Sequence, residues 1–330
     1  MVSPPLLSID RLTVEFRRDH GWSTAVEEVS FDIAEGECVG VVGESGSGKS
    51  VTALSILRLH ARGAARFPAG AILYAGRDLL RASERDLRRL RGHEIAMVFQ
   101  DPMSSLNPVL TICDQISESL RLHQGMSREL ARRRAIELLD LVRIPDAARR
   151  VDEYPHRLSG GMRQRVMIAI AIACRPRLLI ADEPTTALDV TIQAQILELL
   201  RDLRAELGMA VMLISHDLGV IAEFARRVVV MYAGRVVEDA GVDALFASPG
   251  HPYTEGLMAS MPPLEGGAGR LYAIPGRIPD LDEAIRGCRF APRCAHVEAI
   301  CRATPPALVA IYPGHRVRCA PRTRAMGASR

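Results

Sequence analysis

The run Gly43-Glu44-Ser45-Gly46-Ser47-Gly48-Lys49-Ser50 fits the pattern G-x-x-x-x-G-K-[ST] at every position. Its chemistry is that of holding phosphate. Glycines let the backbone curl so that successive N–H groups face phosphate oxygens, and a helix opening at Val51 adds its positive end. Lys49 is expected on the β- and γ-phosphates of a nucleoside triphosphate, with the Ser50 hydroxyl on Mg²⁺. Lys49 is also the one lysine among 42 basic side chains. A compact ammonium kept inside a glycine loop suits a site where arginine is no substitute.

Two further groups carry chemistry. Leu178-Leu-Ile-Ala-Asp182-Glu183 puts two carboxylates at the end of an apolar strand. Asp182 suits a role on Mg²⁺ and Glu183 can polarise an attacking water. The alternative is a helix N-cap, since Pro184 and Thr185 follow. A phosphate loop about 130 residues earlier favours the catalytic reading. Leu158-Ser159-Gly160-Gly161-Met162 offers a hydroxyl and open backbone N–H groups at a helix start, a second phosphate-binding nest.

Together the three motifs resemble the ABC ATPases, a P-loop family, over roughly residues 6–245. The resemblance implies that the nest at 158–162 serves the γ-phosphate of a nucleotide bound to an opposing subunit, so that catalysis needs a dimer. It implies that Gln100 contacts Mg²⁺ and the attacking water, and that Asp189 lies in a loop crossing the dimer interface. His216 is expected to hold the γ-phosphate, although a lone histidine before an aspartate is more often a structural cap. Phe16 aligns with the aromatic that stacks on adenine, with Trp22 a competitor.

The elements that must position these groups are readable in outline. Residues 6–16 and 25–34 alternate like strands, and Glu37–Val42 reads as a strand buried on both faces. Val51–Leu59 has helical spacing, so the loop stands between strand and helix as a phosphate site requires. Residues 81–95 are arginine-rich and amphipathic, and Ile95–Phe99 reads as a strand. Thr111–Val142 is helical in pattern; a helix follows Gly160-Gly161, then a strand at Leu178–Ala181. Ile192, Ile196, Leu199, Leu200, Leu203 and Leu207 recur at helical spacing. A strand at Met209–Ile214 and a hairpin around Ala233-Gly234 complete the series. Strands alternating with helices imply an α/β fold with a mostly parallel core sheet and a helical insertion near 101–165. The family resemblance adds an antiparallel β subdomain to that cassette.

Beyond about residue 245 prolines interrupt every periodicity, which marks 246–330 as a small loop-rich appendix to a nucleotide-binding domain of 1–245. Four of the seven cysteines, Cys288, Cys294, Cys301 and Cys319, crowd into it, spaced C-x5-C-x6-C-x17-C. Cys38, Cys113 and Cys174 stand singly and read as small buried hydrophobes. No basic flank precedes an apolar core at the N-terminus, so no secretory signal is expected and a disulfide framework is disfavoured. Structural zinc sites usually contain a close C-x-x-C pair, absent here; spread thiolates can hold an iron–sulfur cluster, or remain unliganded.

Phe99-Gln-Asp-Pro-Met-Ser-Ser-Leu-Asn-Pro108, Gly161-Met-Arg-Gln-Arg165 and His251-Pro-Tyr-Thr254 look like the dipeptide/oligopeptide importer ATPases, nearer the "D" type than the "F" type. Arg157 departs from that pattern, where Glu or Gln is frequent. This narrower resemblance implies a [4Fe-4S] cluster on Cys288, Cys294, Cys301 and Cys319. The implied partners are a second, "F"-like ATPase chain, two membrane permease subunits and an external solute-binding protein. The implied place is the cytoplasmic face of a bacterial inner membrane, held peripherally.

Composition agrees with these expectations. Charged residues are 25% and hydrophobic ones 48%, as in ordinary globular domains, and no apolar run approaches a membrane span. A net charge of +3 without a basic stripe argues against nucleic acid. A soluble repair or translation ATPase would carry coiled coils or a second cassette, and an exporter usually lacks such a cysteine tail. A protein that binds ATP without hydrolysing it is disfavoured by the presence of Glu183 and His216. Import of a nickel complex, glutathione or an opine stays open beside peptides.

Overall fold

The computed structural model describes residues 4–325, apart from 20, 187, 262–271, 281, 282 and 284. It forms two compact units: one from the chain up to Ile33, Cys38–Arg81 and Ser215 onward, the other from Ala34–Glu37 and Ala82–Ile214.

The first unit opens with β1 (Leu7–Arg18) and β2 (Gly21–Ile33), an antiparallel pair whose inward positions, such as Leu12, Val14, Val29 and Phe31, are buried. Next comes β3 (Cys38–Val42), buried at all five positions as its unbroken apolar run requires. The loop 43–48 then leads into α1 (Lys49–Ile56). Strands β4 (Ala65–Tyr74) and β5 (Arg77–Asp78) extend the antiparallel sheet in the order β2-β1-β4-β5. Strand β4 has no clean alternation in the sequence: Pro68 and Gly70 interrupt it, and its pairing with β1 shifts register between Asp10 and Thr13.

In the second unit, α2 (Glu84–Leu90) is followed by β6 (Ile95–Val98), α3 (Pro102–Ser105) and α4 (Ile112–Gln124). Helix α5 (Arg128–Leu141) completes the segment expected to be helical. Gly125, left-handed at φ 64, and the Ser127 cap divide that segment in two. The series continues through α6 (Ala147–Arg150), α7 (Gly160–Ile172), β7 (Leu178–Asp182), α8 (Val190–Leu207) and β8 (Ala210–Ser215). Strands β6, β7 and β8 pair in parallel and are almost wholly buried, the expected α/β pattern. The helices of 101–165 share one compact unit with these strands.

The chain returns to the first unit through α9 (Leu218–Phe224), β9 (Arg227–Tyr232) and β10 (Arg235–Gly241). The β9–β10 turn has positive φ at both Ala233 and Gly234, the geometry of a tight hairpin. Strand β9 also runs parallel to β3. Beyond it lie α10 (Val242–Ala247), α11 (Pro252–Ala259), α12 (Ala299–Ala303), β11 (Val309–Tyr312), β12 (His315–Val317) and α13 (Ala320–Ala325).

The proline-rich tail is not left to fold on loops alone. Strand β12 pairs with β10, and β11 with β12. Glu238 on β10, fully buried, anchors the tail. Its carboxylate accepts hydrogen bonds from the N–H groups of Gly250 and His251 at 2.6 and 2.9 Å and from the Thr254 hydroxyl at 2.5 Å, and it meets His315 Nε2 at 2.7 Å. The buried His251 is pushed down to about 4 by desolvation, so its neutral ring can accept the Tyr253 N–H at Nδ1. Among the described residues, no helix is long and apolar enough to cross a membrane.

Candidate nucleotide site and cysteine cavity

The phosphate loop owes its path to backbone conformations that few side chains allow. Gly43, Gly46 and Gly48 lie at φ 154, 81 and 100. At Gly43 a Cβ would stand 2.2 Å from the Met231 carbonyl oxygen, so the loop closes there only without a side chain. The Ser47 N–H donates to the Glu44 carbonyl, and the Gly234 N–H to that of Ser47. Lys49 is 4% exposed, and its Nζ donates to the carbonyls of Gly43 and Glu44 at 2.6 and 3.0 Å. The ammonium is thus aimed along the loop. Ser45 and Gly46 are exposed at its crest, and Ser50 and Val51 are half-buried at the helix start.

Phe16 on β1 is half-buried, with its ring against the edge of His60 at 5.2 Å. Its competitor Trp22 has the Arg66 guanidinium over one face, 4.4 Å from the ring centre. His216 is exposed; the helix that follows is capped by Asp217, which accepts the Gly219 N–H. The capping role considered for that histidine therefore falls to its neighbour.

On the second unit, Asp182 ends β7 and is 5% exposed. The next residue, Glu183, takes φ 45, a conformation that costs a non-glycine residue about 1–3 kcal/mol. Its N–H donates to the Ile214 carbonyl, and its carboxylate accepts from Gln100 Nε2 at 3.2 Å and from the Thr186 hydroxyl at 2.8 Å. Gln100 and Glu183 are therefore together, although 83 residues separate them. The helix-cap alternative for this pair does not hold: Asp189 caps α8, accepting the Ile192 N–H at 3.0 Å. Thr186 was not legible as a partner, because hydroxyl-to-carboxylate geometry depends on the turn between them.

At 158–162, Leu158 is buried while Ser159 and Gly160 are exposed. Ser159 caps α7, accepting the Met162 N–H. Gly161 packs closely: a Cβ there would lie 2.8 Å from Ile192 Cγ2, whereas at Gly160 the nearest atom would be 3.8 Å away.

Cys38 and Cys174 are buried as expected, and Cys113 is half-buried. The other four, Cys288, Cys294, Cys301 and Cys319, line one cavity together with His251 and Phe290, and all are free thiols. The Cys288 N–H donates to the Cys301 carbonyl. Burial first, and then the neighbouring thiols, push Cys319 up to about 11 and raise Cys288 and Cys294. Among the described residues no three His, Cys, Asp or Glu side chains converge as ligands of a single ion. The four cysteine side chains on one cavity are of the donor type an iron–sulfur cluster takes.

Residues 26–186 match the family model described as ABC transporter, and residues 237–301 match the C-terminal region of oligopeptide/dipeptide transporters. A Brucella abortus protein named as a peptide import ATP-binding protein is 59% identical over 318 residues, covering 96% of this chain and 95% of its own. The chain belongs to the ABC transporter family. The oligopeptide transport ATP-binding protein AppD of Bacillus subtilis is 52% identical to this ABC chain, over 95% of it and 96% of AppD. The dimeric cassette MJ0796, solved in a post-hydrolysis state with ADP and Pi, superposes with a TM-score of 0.64 at 31% identity, covering 72% of this chain and 98% of its own. The cbiO1 protein of Clostridium perfringens gives 0.62 at 25% identity, covering 74% and 92%. The matched ABC segment holds the phosphate loop, Ser159–Met162 and Asp182-Glu183. The C-terminal match holds three of the four cysteines and stops before Cys319.

Proposed function

We propose that this chain hydrolyses ATP to drive import of di- or oligopeptides through an ABC transporter. The observation that carries the reading is the Gln100–Glu183 pair at the end of β7, in a chain that also carries an intact phosphate loop. Near full-length similarity to peptide import ATP-binding proteins supports the choice of cargo.

Catalysis of phosphoryl transfer is mostly positioning and charge neutralisation. Lys49 and the N–H groups of the loop 43–51, apart from that of Glu44, which is given to Tyr253, hold the phosphates, and Phe16 stacks on the base. Ser50, Gln100 and Asp182 would hold Mg²⁺, which neutralises phosphate charge when bound. Glu183, oriented by Gln100 and Thr186, takes the proton of the attacking water. His216 holds the γ-phosphate. Residues 158–162 act on the nucleotide of a second cassette, an "F"-like chain, and Asp189 lies in the loop facing it. Two permease subunits and an external solute-binding protein complete the transporter, with this chain peripheral on the cytoplasmic face.

Residues 1–245 serve as the nucleotide-binding domain and 246–330 as the C-terminal domain. In the latter, Cys288, Cys294, Cys301 and Cys319 would hold a [4Fe-4S] cluster, which supplies covalent ties to a segment with little core of its own.

Glu183→Gln tests the assignment. Steady-state ATPase should fall by about 10²–10⁴-fold while ATP binding is kept. Unchanged turnover would remove Glu183 from the reaction.

A further inference from the structure

Glu44, the second residue of the phosphate loop, is held from the C-terminal segment at both backbone and side chain. Its N–H donates to the Tyr253 hydroxyl at 2.8 Å. Its carboxylate receives the Arg293 guanidinium on both oxygens, at 2.6 and 3.0 Å.

Neither partner is a loose surface group. The Arg293 side chain is 4% exposed, and its remaining N–H groups donate to the carbonyls of Pro275 and Ile274 at 2.8 and 3.2 Å and to the Tyr232 hydroxyl at 3.4 Å. Such a guanidinium has its fork fixed before it meets the carboxylate, so little freedom is lost in making the pair. Tyr253 is fully buried, with its ring 4.6 Å from Tyr232 and 5.5 Å from Phe290. The Glu44 carboxylate holds Arg293 more firmly protonated, and burial raises Tyr253, so the guanidinium stays charged and the hydroxyl stays neutral at any physiological pH.

The loop needs such support. Three of its residues are glycines at positive φ, which lose more freedom on ordering than any other residue type. Where only a fraction of molecules has the loop in its binding shape, apparent affinity falls by that fraction. A grip on Glu44 raises the fraction without touching nucleotide.

We propose that Arg293 and Tyr253 are positioning residues for the phosphate loop, so that ATP affinity is set in part by the C-terminal segment. The inference rests on reading 43–50 as the ATP phosphate site. It also gives the cysteine cavity a route to nucleotide, because Arg293 ends the single 3₁₀ turn Ala291–Arg293 that lies between Cys288 and Cys294.

The test uses the full chain, with ATP affinity read by a fluorescent analogue and KM and kcat by steady-state hydrolysis. Arg293→Ala should raise Kd and KM about tenfold, as expected if the loop is competent about a tenth of the time, with kcat within twofold. Arg293→Lys should recover part of the loss, and Tyr253→Phe should weaken binding about threefold. Glu44→Gln should do what Arg293→Ala does, and the double variant should be no worse than either single one. Should Arg293→Ala fail to fold, Glu44→Gln and Tyr253→Phe carry the same comparison. A folded set with wild-type Kd, or with kcat lost and KM unchanged, overturns the proposal. Lys49→Ala is the separate control: if it keeps full ATP affinity, the phosphate-site reading fails, independently of the grip on Glu44.

Discussion

Glu183 shows how a single residue can be both costly and fixed. Its left-handed backbone is held by the Ile214 carbonyl, and its side chain by Gln100 and Thr186, so the carboxylate has little freedom to turn away. The four tail cysteines are held differently, as side chains that share one cavity. Anaerobically purified protein should carry roughly four iron atoms per chain with broad visible absorption, and Cys301→Ser should lower both. Protein with neither iron nor colour would leave these residues as unliganded thiols. The phosphate loop and the carboxylate pair were legible in the sequence because their chemistry is local: glycine, lysine and acid sit within a few residues of each other. Arg293 was not, since its partner Glu44 lies 249 positions away and a lone arginine in an arginine-rich chain carries no signal.

Among the secondary-structure elements, the caps decide where functional loops end. Ser159, Asp189 and Asp217 each accept a backbone N–H of the helix they open, and each belongs to or adjoins a motif read for its chemistry. Gly160 and Gly161 differ in how closely their surroundings pack. Gly161→Ala would crowd Ile192, which should cost about 1–3 kcal/mol and lower the melting temperature by several degrees. Gly160→Ala meets only an ordinary contact with Leu188, so its melting should match wild type while ATPase falls, if open backbone at this nest is what the reaction uses. Normal ATPase in a stable Gly160→Ala protein would argue against the nest. Helices and buried strands were visible in the pattern because their periodicity is dictated by burial. Strand β4 was not, as its proline, glycine and register shift are imposed by pairing with β1.

For the whole molecule, the tail and the body are joined where sequence suggests a boundary. Glu238 precedes the boundary expected near residue 245, yet its four partners, Gly250, His251, Thr254 and His315, all lie beyond it. Removing them leaves a carboxylate that must either stay buried without partners or drag β10 into water, at a cost of about 3–5 kcal/mol. A chain cut after residue 245 should therefore give little soluble protein, or melt well below the full chain. Equal melting of the two would show that the tail adds nothing to the body's stability.

The same carboxylate sets a clock on biosynthesis. His315 is 77 residues downstream of Glu238. At roughly 5–20 residues per second, a ribosome needs about 4–15 s to supply it. During that interval the phosphate-loop half of the first unit has emerged, but its last strands have not. The nascent chain lacks the histidine partner of Glu238 until His315 has been made, so this unit is completed only after that residue has emerged.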